Sequence, residues 1–118
     1  MFEAIFAKLE EAVPGLVAIS VVAGDGIEIE SRVCAGDIPH EVMSAELNGL
    51  MRDLCRIQEE QDLGRLHEMV IRTEKSNVLL YALAGGFFVM LVTAPSDTTG
   101  RARYEVARRA HEFAEILS

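Results

Sequence analysis

The chain has no tryptophan, three prolines and two cysteines among its 118 residues. Each scarcity excludes something. Cys34 and Cys55 have neither a CxxC spacing nor a histidine cluster near them. That argues against a disulfide framework or a zinc site and leaves two reduced, packed thiols as the expectation. Cations are scarce as well: 11 Lys and Arg stand against 19 Asp and Glu, a formal charge of −8. No basic run or stripe of aromatics offsets that field, so no nucleic-acid partner is expected. The opening MFEAIFAKLEEAV has glutamate where a secretory signal needs lysine or arginine, and its apolar residues are spaced rather than continuous. A cytoplasmic protein is the expectation.

Long apolar runs are scarce too. Val78 to Ala94 carries no charge, but Gly85-Gly86 divides it into two strand-length halves rich in β-branched and aromatic residues. Two buried strands joined by a glycine turn explain it better than an integral membrane segment. Catalytic signatures are missing in the same way. His40, His67 and His111 stand singly, with no nucleophile or carboxylate at a motif spacing. Gly24-Asp25-Gly26 and Gly85-Gly86 do not lead into helices and carry no GxxxxGK[ST], so no phosphate loop is present. No catalytic residue, metal or cofactor is assigned, and an enzyme is not expected.

What remains is a globular composition, half hydrophobic and a quarter charged, of a length that suits one domain over residues 1–118. Phe2, Ile5, Phe6, Leu9 and Val13 lie on one face of an amphipathic helix, which Pro14-Gly15 ends. LVAISVVA at 16–23 reads as a strand buried on both faces. Gly24-Asp25-Gly26 is a hairpin turn. Ile27, Ile29 and Val33 then alternate with Glu28, Glu30 and Arg32, the pattern of a half-exposed edge strand. A helix follows over about 40–60. A mixed strand spans 65–74, a turn spans 75–77, and strands occupy 78–83 and 87–93. After a loop at 95–100, one last helix covers roughly 99–117 with Ala102, Val106, Ala110, Phe113, Ala114 and Leu117 on one side. The expected architecture is α/β: an αββαβββα three-layer sandwich with a five-stranded, mainly antiparallel sheet.

The middle helix has more apolar surface than one sheet requires. At 100° per residue, Ile57, Leu50, Met43, Leu54, Leu47, Met51 and Cys55 fall in order around an arc of roughly 160°, whereas a helix on a sheet needs about 100°. Met43, Leu47, Leu50, Leu54 and Ile57 alternate steps of four and three, as in a heptad seam. Surplus apolar surface of this kind meets a partner. If the 65–74 strand is the second sheet edge, two copies can join edge to edge in an isologous dimer. The expected dimer interface is Met43, Leu47, Leu50, Met51, Leu54 and Ile57 of the helix, with Met69 and Ile71 of the strand. Ala45, Asn48, Gly49, Arg52 and Arg56 form the opposite face, where small residues allow another chain to approach closely. Arg101, Arg103, Arg108 and Arg109 make the last helix locally basic. The expectation there is a solvated face laced by Glu105 and Glu112.

Two stretches carry a family resemblance. GLVAISVVAGDGIEIES resembles the first hairpin of roadblock (dynein light chain) domains, and KSNVLLYALAGGFFVMLVTAPSDTTGRARYEVARRA resembles their last hairpin and final helix. The chain is similar in this respect to bacterial gliding-motility GTPase-activating regulators. The resemblance implies one helix on one sheet face and two on the other, and a homodimer with a ten-stranded sheet and paired middle helices. It further implies a small Ras-like GTPase as partner, reshaped in its own switch loops without an inserted arginine finger. The family's docking surface maps here onto Ala45, Asn48, Gly49, Arg52 and Arg56. Two other functions stay open. One is a small-molecule-sensing domain, favoured by a cavity under the middle helix lined by Met43, Met51, Tyr81 or Met90. The other is a purely structural adaptor.

Overall fold

The computed structural model describes residues 1–95 and 98–118. The apolar runs become strands β1 (Leu16–Val22), β4 (Asn77–Ala82) and β5 (Phe88–Thr93), and the mixed segments become β2 (Glu28–Val33) and β3 (Glu68–Arg72). The sheet order is β2-β1-β5-β4-β3, with every neighbouring pair antiparallel. The continuous apolar strands take the three inner positions and β2 an edge, as their patterns predict, and β3 takes the second edge, which meets the condition set for edge-to-edge pairing.

Helix α1 (Glu3–Ala12) shares one face with α3 (Thr99–Ala107) and α4 (Ala110–Leu117). Their Phe6, Leu9, Val106 and Phe113 pack on Ile19, Val21, Val89 and Leu91. Helix α2 (His40–Glu60) covers the other face, over Ala18, Val22, Leu80, Met90 and Val92. Ala84–Gly86 forms a 3-10 turn between β4 and β5, with φ of 77° at Gly85 and 82° at Gly86, conformations that glycine takes at no steric cost.

The single last helix expected over 99–117 is instead two. At the break, the Arg109 amide donates to the Val106 carbonyl at 3.0 Å, a tightened i→i+3 bond. The Glu105 carbonyl is taken up by the Arg109 guanidinium at 3.2 Å. That guanidinium also grips the buried Glu105 carboxylate. Arg101 and Arg108 lie 3.5 and 3.8 Å from the same carboxylate. The hydrogen bond from Arg109 holds the Glu105 carboxyl below the usual range, against burial, which works the other way.

A β-bulge in β2 sorts its charges. Val21 pairs with Glu30 while Val22 pairs with Glu28, so Ile29 is the extra residue. Glu28 and Glu30, two apart, consequently serve opposite faces of the sheet. Glu30 accepts the Phe2 amide at 2.9 Å on the α1 side, whereas Glu28 reaches α2. The charged members of β2 are thus half-buried, and Ile27, Ile29 and Val33 are exposed.

Among the described residues, no helix is long and apolar enough to cross a membrane. Cys34 is half-buried, and burial, with the neighbouring Glu10, pushes its thiol up to about 11. Cys55 is exposed, contrary to the expectation of a packed thiol.

Candidate functional site

Helix α2 is fastened to the sheet by polar groups. The Ser44 hydroxyl donates to Glu28 Oε2 at 2.7 Å, and His40 Nδ1 lies 2.7 Å from Glu28 Oε1. Serine, histidine and glutamate meet here, but the hydroxyl donates to the carboxylate and not to the imidazole. Ser44 is fully buried, out of reach of a substrate, so the trio acts as a clamp between β2 and α2. One turn on, the Asn48 amide donates to the Gly24 carbonyl at 3.2 Å. Gly26, at φ +87°, lies so close that an added Cβ would stand 3.3 Å from Ala45 Cα and Asn48 Cβ.

These contacts correct two sequence expectations. Asn48 is 6% exposed and sits against its own β1–β2 turn, not on an outer docking face. A polar side chain is tolerated there because a backbone carbonyl satisfies it. Met51, also 6% exposed, packs into the core beneath α2 and so is withdrawn from the dimer seam. Ala45 is exposed, yet its smallness already serves the approach of Gly26. Gly49, Arg52 and Arg56 are exposed, and a Cβ added at Gly49 would meet nothing within 4 Å.

The buried residues of α2 are Ser44, Asn48 and Met51, all in its first twelve positions. Beyond Met51 the helix contributes nothing fully buried. Two flanks result. Met43 and Leu47 join Met69 and Ile71 of β3 in one apolar cluster, and the helical period puts Leu54, half-buried, with Leu50, 43% exposed, and Ile57, 41% exposed, on the same flank. Met69 and Ile71 are half-buried on the adjoining edge strand, whose Val70 is 37% exposed. An apolar helix flank therefore adjoins a strand whose outer backbone has no partner strand within the sheet.

On the opposite flank, an open groove of about 690 Å³ separates α2 from the β4–β5 connection. Met51, Phe87 and Phe88 give it an apolar lining, and Arg52, Arg56 and Arg65 bring charge to it. Sequence reasoning missed Arg65 and the hairpin because they meet α2 only through the fold. Of Met43, Met51, Tyr81 and Met90, the residues expected to line a cavity under the middle helix, Met51 alone lines this groove. Met90 is fully buried, and Tyr81 packs with the core on the other sheet face. Among the described residues, no group of three or more His, Cys, Asp or Glu could hold a metal ion.

No protein-family profile and no curated protein matches the sequence. Solved structures do resemble the fold. A roadblock/LC7 domain from Streptomyces avermitilis superposes with a TM-score of 0.81 at 17% identity, over 97% of this chain and 95% of that one. Myxococcus xanthus MglB gives 0.83 at 13% identity, over 98% and 96%. The gliding protein MglB of Thermus thermophilus gives 0.85 at 12% identity, over 97% and 86%. These superpositions run nearly end to end, and on that ground the chain has the roadblock/LC7 fold.

Proposed function

We propose that the chain is a non-enzymatic, homodimeric docking module that binds a small Ras-like GTPase and modulates its GTP hydrolysis in the cytoplasm. The observation that carries this reading is the exposed Leu50 and Ile57 beside the unpaired β3 edge. A solvated monomer gains nothing from that arrangement. A second copy related by a two-fold axis would continue the sheet through β3 and cover both helices at once. The likeness in fold to MglB supports a regulatory role of the kind found in gliding-motility systems. The paired helices would then present Gly49, Arg52 and Arg56 from both copies as a platform.

The test is direct. The protein is mixed with a co-encoded small GTPase loaded with GDP or with a non-hydrolysable GTP analogue, and the mixtures are run by size-exclusion with light scattering. A complex of a dimer with the GTPase is expected in at least one state; its absence in both removes the reading. Single-turnover hydrolysis with and without the protein then separates a regulator from a purely structural adaptor, which leaves the rate unchanged.

A further inference from the structure

The groove on the far flank of α2 has a chemistry of its own. Three arginines, Arg52, Arg56 and Arg65, border it against one carboxylate, Glu59, on a chain whose total charge is −8. Arg56 is engaged by Glu60 at 3.3 Å. Arg52 and Arg65 have no ion pair among the described residues, although acids outnumber bases in the chain. In such a field, two unpaired guanidiniums beside one groove form a local positive site that favours an anionic partner.

The floor and far wall say what else that partner carries. Met51 and Phe88 are buried and Phe87 is half-buried beneath the arginines. The facing wall is Ala84, Gly85 and Gly86, all exposed, so no large side chain closes the groove from that side. A Cβ added at Gly86 would come within 3.8 Å of Gly24 Cα, so the two hairpin turns abut and keep the wall low. A pocket for a small molecule encloses most of its ligand. This groove leaves one side in water, which suits a chain segment that lies along it.

We propose that the groove between the second half of α2 and the Ala84–Gly86 turn docks a short acidic segment of a partner protein. One large apolar side chain of that segment rests on Met51 and Phe87, and its carboxylates face Arg52 and Arg65. The inference goes beyond the GTPase reading: the groove shares Arg52 and Arg56 with the proposed platform but adds Arg65 and the β4–β5 turn, and it lies on the flank of α2 away from the dimer seam at Leu50 and Ile57.

The test uses the full chain and a fluorescein-labelled heptapeptide of glutamates around a central phenylalanine, followed by anisotropy. Saturable binding is expected that weakens with salt, and the glutamine and lysine versions of the peptide should bind less tightly. The double variant Arg52→Glu/Arg65→Glu, at two exposed positions, should lose about tenfold or more in affinity and gain affinity for the lysine peptide. Leu50→Glu should bind the acidic peptide as the parent chain does. Cys55 lines the groove and is exposed, whereas Cys34 is half-buried with its thiol pushed up to about 11, so reaction of Cys55 with a disulfide reagent should slow when peptide is bound. No saturation below about 1 mM overturns the proposal, as does affinity indifferent to the arginine reversals or to glutamine replacement. If the peptide binds the groove but no GTPase complex forms, the GTPase reading fails and the groove stands. A GTPase complex with no peptide binding gives the converse.

Discussion

The two faces of the sheet are built to different ends. Helix α1, ten residues long, buries Ile5, Phe6 and Leu9; α2, 21 residues long, also buries three, and two of those are Ser44 and Asn48. On the first face, aromatic and aliphatic side chains close over the sheet, with Phe2 stacked on Phe6 at 5.9 Å and set against Phe113 at 5.8 Å between ring centroids. On the second face, hydrogen bonds fix the helix near its start, and much of its apolar flank is left over. One face holds the subunit together. The other holds a helix at a set height and rotation, with its remaining surface turned outward.

If that division is right, damage to the two faces should read out differently. The largest loss of stability should come from the closed face. Phe113→Ala removes a fully buried ring and should cost about 3–5 kcal/mol in chemical denaturation. A cost below about 1 kcal/mol would mean that α4 is not part of the core.

Leu50→Glu on the open face should behave in the opposite way. Leu50 is exposed in the subunit, so the subunit's own stability should move by no more than about 0.5 kcal/mol. Association should weaken by several kcal/mol, because the new charge would be buried without a partner in the seam. Light scattering should then show a folded monomer. A variant that remains dimeric puts the seam elsewhere.

The polar clamp gives the next effect. Glu28→Ala leaves Ser44 without its carboxylate acceptor in a buried position and deprives His40 of its contact, at a cost of about 1–3 kcal/mol. The same loss should raise hydrogen exchange in the first turns of α2 more than in α1. Uniform exchange across both helices would refute a local clamp. Glu105 supplies a pH counterpart on the closed face. A carboxyl held below its usual range stabilises the fold above its unfolded value, and that contribution drains as pH falls through the lower folded value. Glu105→Gln should therefore lower stability near neutral pH and flatten its acid limb below about pH 4. An unchanged acid limb would show that Arg109 does not act through that carboxylate.

Much of this division was legible in the residues. Continuous apolar runs marked β1, β4 and β5 as buried strands, and alternating charge marked β2 as an edge, whereas the mixed pattern of β3 left its place in the sheet open. The surplus on α2 was legible as a width of arc. Its rotation was not. Reading polarity as exposure put Asn48 outside, whereas the Gly26 turn brings a carbonyl to it and the bulge at Ile29 turns Glu28 toward Ser44. Both depend on strand register, which no helical projection contains. The break at Arg108-Arg109 was hidden for a similar reason. Its sequence suits a helix, and the tightened turn is held by Arg109 reaching back to Glu105. The groove needed the fold as well, since Arg65 and the Ala84–Gly86 turn lie far from Arg52 along the chain.

The smallest expected effect bears most directly on what the open face is for. Gly49 stands in the middle of α2, exposed, with nothing within 4 Å of an added Cβ. Glycine there costs about 1 kcal/mol relative to alanine. Gly49→Ala should therefore stabilise the isolated protein by about that amount. If the residue lies under a docked partner, the added methyl should at the same time weaken the GTPase complex, so that stability and affinity move in opposite directions. Stabilisation with unchanged affinity would remove Gly49 from the platform and leave Arg52 and Arg56 to carry it. No comparable trade is open to the closed face, where a substitution that loosens the packing weakens the fold and any function built on it together.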